Sequence, residues 1–159
     1  MDTDRAAVYA AELAAFDGTD LEVVVGVERL VAVTDRLTAG EWWPGPMVVV
    51  RSARSDARSS TTRCASSGAT IRLAESQATV ATAAHELAHA LAGAGAGHDG
   101  RFRAAYLDIV ALLTNLDPTD RRGTIHVDQL RTAFIAGGLD VADRGWPAPP
   151  PTIAGPIAL

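Results

Sequence analysis

At 159 residues, with 48% of them apolar and a net charge of -5, the chain is sized for one domain with a real core. The apolar content excludes wholesale disorder, and the acidic balance excludes a protein that is globally a nucleic-acid binder. All fourteen basic residues are arginine, the coding bias of a GC-rich genome, and the lone cysteine, Cys64, reads as a small buried hydrophobe with no disulfide partner.

Residues 4–16 place Ala7, Val8, Ala11 and Phe16 among polar neighbours, predicting a first amphipathic helix that Asp17-Gly18 ends. Acids flank the apolar residues here and no basic region precedes them, so the segment does not read as a signal peptide. No apolar run has the length of a membrane span, and the expected location is the cytosol. The β-branched run at 21–25 predicts a short strand, and 27–39 a helix stopped by Gly40. After the WPGP loop, 47–50, 61–65 and 70–73 predict three strands, the last two joined by Ser66-Ser67-Gly68. Helices follow over about 76–92, 100–113 and 127–136, the last closed by Gly137-Gly138. WPAPPP at 146–151 opens a proline-rich tail expected to be an extended appendage. The order predicts an α+β domain over 1–145, a small twisted sheet packed on helices, with the tail over 146–159.

The chemistry concentrates in AAHELAHALAGAGAGHDGRF, 83–102. His85 and His89 are four apart, so a helix sets both imidazoles on one face, a turn apart, where they can converge on one ion. Glu86 lies about 100° round the helix, beside such an ion and placed to act as general base. A catalytic zinc usually takes three protein ligands and leaves one position for water. The glycines of AGAGAG permit the chain to reverse, and His98 follows as the third ligand. A bare HExxH also arises by chance. The conjunction argues against chance, because Val80, Ala84, Leu87, Ala88 and Leu91 predict a buried helix, and burying three ionisable groups unpartnered costs several kcal/mol. Zinc is the expected ion, although the ligand set also suits other first-row metals.

Other features have plainer readings. Phe102, Tyr106 and Ile109 are expected to pack one helix on another, with a Tyr106 oxyanion contact as the lesser alternative. Asp99 reads as the cap of the helix starting at Gly100 rather than a carboxylate orienting a histidine, and His126 as an ordinary histidine. Arg51, Arg54, Arg58, Arg63 and Arg72 share their stretch with one acid, Asp56. A solvated hairpin face explains them better than a nucleic-acid contact, since no aromatic platform accompanies them. Residues 70–73 are the expected sheet edge for an extended substrate.

MDTDRAAVYAAE, AHELAHAL, GHDGRFRAAYLDIV and FIAGGLDV resemble a family of small metallohydrolases found in mycobacteria, other actinobacteria and their phages, over most of the chain up to about Asp143. The chain is similar, more distantly, to SprT-like and other minimal HExxH zincins. The resemblance implies a zincin-like fold with His85, His89 and His98 as metal ligands and Glu86 as catalytic base. Asp99 stands where the family's glycine usually follows the third histidine, a departure of the local turn and not of the ligand. The expectation is a monomeric zinc metallopeptidase acting on a peptide or protein substrate. The alternatives are a metal-stabilised binding or phage accessory module without turnover, or a repressor-cleaving protease of the ImmA/IrrE type, for whose usual DNA-binding domain the chain has no room.

Overall fold

The computed structural model describes residues 2–114 and 122–151, which form five helices and a three-stranded mixed sheet. The α+β expectation therefore holds. Strand β3 (Gly68–Leu73) runs between β1 (Val48–Ser52), to which it is parallel, and β2 (Thr61–Ala65), to which it is antiparallel. Alternation sorts the sheet's two faces. Ala69, Ile71 and Leu73 are buried, and the exposed Arg72 points away from them.

Helix α3 (Val80–Ala92) packs on the buried face of the sheet and also on α4 (Gly100–Thr114). Covered on both sides, α3 buries every residue except Thr82 and His89. Each fully buried leucine, such as Leu87, contributes about 1.5–3 kcal/mol. Its alanines leave room for both neighbours to approach closely. Helix α5 (Arg122–Ala136) packs on α4, and α1 (Arg5–Phe16) packs on α5 through a stripe that includes Val8, Ala11, Ala15 and Phe16. Helix α2 (Val27–Thr38) lies against β1 and buries Leu30, Val33 and Leu37.

Four local expectations change, one of them the last helix, which begins at Arg122 and not near Val127. The run at 21–25 is not a strand: Asp20–Glu22 is a single 3₁₀ turn, Val23 and Val24 are exposed, and the one ladder-like bond is Val25 N–H to the Ala78 carbonyl at 2.9 Å. β-propensity without a neighbouring strand to pair with does not make a strand. Helix α3 begins at Val80 and not near Ser76, because the Thr79 hydroxyl accepts from Thr82 N–H at 3.1 Å and caps it there. Trp146 lies at a bend, half-buried against the domain, and is not part of a detached appendage. Its indole N–H donates to Asp108 at 2.9 Å, beside the Arg144–Asp108 pair, and Trp42 N–H donates to the Pro147 carbonyl at 2.9 Å. The rest of the tail, 152–159, lies outside the described residues.

One buried cation ties the chain's extremities to the middle. Arg103 donates to Asp4 Oδ2 at 2.7 Å, to the His98 carbonyl at 2.7 Å and to the Asp140 carbonyl at 2.6 Å.

Candidate metal centre

Helix α3 carries His85, Glu86 and His89 on the side facing α1 and the end of β2, and its C-terminus must turn sharply to bring His98 back. Gly93 ends the helix at φ +94°, its N–H bonded to the His89 carbonyl at 3.0 Å. Gly97 takes φ +52° immediately before His98, a left-handed conformation that glycine adopts at least cost. Asp99 then caps α4, accepting from Arg101 N–H at 2.8 Å and Phe102 N–H at 3.1 Å. The capping reading of Asp99 holds.

The three histidines meet. His85 Nε2 lies 3.2 Å from His89 Nε2 and 3.2 Å from His98 Nε2. Their ligand atoms all fall within 4.8 Å of one another, the arrangement of a group that could hold a metal ion. His85 and His98 are each 5% exposed, and burial makes their protonation state decisive. Burial pushes His89 down to about 3, with His85 and His98 adding to the effect. His98 is also lowered by burial, although its bond to Asp2 opposes this. Neutral imidazoles are the form that binds metal.

The other ring nitrogens decide which way the lone pairs point. His85 Nδ1 is 2.6 Å from Glu12 Oε1, and His98 Nδ1 is 2.5 Å from Asp2 Oδ2. An ionised carboxylate only accepts, so a neutral ring that donates to it from Nδ1 presents the lone pair of Nε2 to the cluster. Facing lone pairs repel unless a cation lies among them. Nitrogens bound tetrahedrally at about 2.0–2.1 Å to zinc are separated by about 3.3 Å, close to the spacing here. The residues present therefore fit a metal ion with nitrogen ligands.

Phe102 lies within ring-contact distance of all three imidazoles, at 4.5 Å from His89, 4.8 Å from His98 and 5.0 Å from His85 between centroids. Tyr9 stacks on His85 at 5.4 Å and 8°. Tyr106 is wholly buried, 5.6 Å from His85, and donates to the Ala81 carbonyl at 3.3 Å, so it packs the helices together and does not line the cleft. His126 pairs with Asp20 at 3.2 Å and lies against Phe16, apart from the triad.

Glu86 is 7% exposed. Burial raises its carboxyl above the usual range, opposed by a hydrogen bond from Thr62 and by His85. Thr62 Oγ1 sits 2.6 Å from Glu86 Oε2 and 2.9 Å from the Glu86 carbonyl. A cleft of about 350 Å³ opens over Glu86 and the three histidines, walled by Thr62 and Cys64 of β2 on one side and by Arg5 and Tyr9 of α1 on another. Cys64 is thus half-buried at a cleft wall and not in the core.

The strand beside this cleft is β2. Residues 70–73, expected to be the edge, belong to β3, which is paired on both sides. Edge position passes to β2 because the hairpin folds β3 inward against β1. Arg51, Arg63 and Arg72 stand exposed on the face turned from α3, with Arg51 and Arg72 in register, and the strands hold no aromatic residue.

Sequence reasoning missed Asp2, Tyr9, Glu12 and Thr62. Their only signals are acids at 2, 4 and 12 and an aromatic one turn before Glu12 in an otherwise alanine-rich helix. Among the described residues no helix is long and apolar enough to cross a membrane. Compared with known proteins, the chain matches no family model, no curated protein and no solved structure.

Proposed function

We propose that the protein is a zinc-dependent metallohydrolase with a minimal zincin-like domain, cleaving a peptide or other amide bond. The observation that carries the reading is the convergence of the three Nε2 atoms in one cleft with a buried carboxylate of raised pKa. His85, His89 and His98 are the residues that would hold the ion. A zinc ion held there supplies Lewis acidity, bringing the pKa of water towards neutrality and polarising a carbonyl.

Glu86 performs the proton transfers. Thr62 occupies Oε2, which fixes the carboxylate's orientation and leaves Oε1 to take a proton from the attacking water and pass it to the leaving amine. The raised pKa suits that task, because a base must hold the proton long enough to deliver it. An extended substrate fits the outer edge of β2, unpaired among the described residues, adding a strand antiparallel or parallel to residues 61–65 by β-augmentation. Tyr9 and Arg5 close the opposite wall.

The test is the Glu86→Gln variant beside the wild type, each analysed for zinc and screened against a peptide library. Zinc retained in both, with cleavage by the wild type only, is the expected result. Cleavage by neither protein, with zinc retained in both, would assign the chain to the non-catalytic binding module. Absence of zinc from the wild type sinks both readings.

A further inference from the structure

We infer that Asp2 and Glu12 are positioning residues of the metal centre, and that through them the docking of α1 and the binding of metal form one linked equilibrium. The inference rests on the metal-binding half of the reading above and is independent of whether the protein turns anything over.

Among the described residues, the N-terminal segment adds no atom to the histidine cluster, yet it reaches two of its three rings. Glu12, with its side chain 14% exposed, accepts from His85 Nδ1, and Asp2 accepts from His98 Nδ1. Without these acceptors each ring could place its proton on Nε2, turning a ligand into a donor aimed at its neighbours. Tyr9, stacked flat on His85 and tilted 53° to His98 at 5.5 Å, restrains the same two rings from turning. His89 is the internal contrast: among the described residues, no carboxylate accepts from its Nδ1 and Tyr9 makes no ring contact with it.

The segment's placement depends on few anchors. Helix α1 faces α5 with its apolar stripe and turns Tyr9 and Glu12 to His85. Asp2 lies before the helix, held near His98 because Arg103 pins Asp4 and the His98 carbonyl together. Gly97 makes the approach possible, since a Cβ there would stand 3.2 Å from the Asp2 carboxyl carbon. If docked residues 2–16 raise metal affinity by some factor, bound metal must favour docking by the same factor.

The experiment titrates zinc against a chromogenic chelator for wild type, Glu12→Gln and Asp2→Asn. It also follows amide hydrogen exchange of residues 2–16 with and without zinc. Glu12→Gln and Asp2→Asn should each weaken zinc about 10–100-fold. Zinc should slow exchange over 2–16 in the wild type, and less so in the variants. Cobalt(II)-loaded variants should show a shifted visible absorption, which a purely structural role for these carboxylates would not produce. Asp2 lies outside every helix, so Asp2→Asn reports even if Glu12→Gln compromises folding. A wild type that binds zinc while both variants match it, or whose 2–16 exchange ignores zinc, overturns the linkage alone. A wild type that binds no zinc overturns it together with the metal site.

Discussion

Helix α3 with its glycine hinge and the N-terminal segment with α1 approach the same cluster of nitrogens but do different work. Among the described residues, the first supplies the three histidine nitrogens that could hold a metal ion, from residues 85 to 98, on a helix buried nearly all round and the turn after it. The second supplies carboxylates and a stacked ring, Asp2 from before α1 and Tyr9 and Glu12 from a helix with one covered stripe. Helix α3 is enclosed by the sheet and α4, whereas α1 and the residues before it are held by α5, Arg103 and the imidazoles themselves. The difference teaches that donor atoms and donor orientation can be assigned to separate elements. A site so divided loses its ion when the first region is cut and loses affinity by degrees when the second is.

The largest effect should come from the first region. His98→Ala removes one of the three nitrogens proposed to hold the ion, and zinc content should fall from about one equivalent to near none by elemental analysis. Retained stoichiometric zinc in that variant would break the assignment of three ligands. The junction between the regions comes next. Arg103→Met leaves the charge of Asp4 and two carbonyls without their donor, and should lower unfolding free energy by about 3 kcal/mol in urea denaturation. Gly97→Ala should cost about 1–2 kcal/mol, from φ +52° and from pressing a methyl towards Asp2. It should also weaken zinc, and a stability loss with zinc affinity untouched would show that Asp2 does not govern His98. Tyr9→Ala removes the stack on His85 and should cost about 1 kcal/mol or less.

The first region was legible in the sequence and the second was not, for a physical reason. Ligands four apart on a helix, and a histidine just past a glycine hinge, are set by local geometry that spacing reveals. Glu12 meets His85 across 73 residues, and Asp2 meets His98 across 96. Nothing local encodes such encounters; they follow from α1 docking on α5. The same distinction explains the sheet. Period-two alternation in 61–65 and 70–73 marks strands and their hairpin, but which of them inserts against β1 is a long-range outcome, and it moved the free edge beside the cleft from β3 to β2. At 21–25 the β-branched residues had strand propensity and no strand to pair with. Trp146 read as tail because its partner Asp108 lies 38 residues back.

The smallest predicted effect separates the two regions at Glu86, which belongs to α3 but is buried beside the carboxylate of Glu12 that α1 brings. Burial raises the Glu86 carboxyl above 4.5, so the folded protein holds that proton to higher pH than the unfolded chain does. Stability contributed by the protonated form is complete below about 4.5 and is lost as pH rises through the raised value. Glu86→Gln abolishes this loss. In metal-free protein the variant should therefore melt above the wild type at pH 7, with the gap closing below pH 4.5 in a series of thermal scans. Adding zinc should shrink the gap at pH 7, because a nearby cation stabilises the carboxylate but does nothing for the amide. A gap that zinc leaves unchanged would place the ion out of reach of Glu86, and with it the proton transfer assigned to that residue.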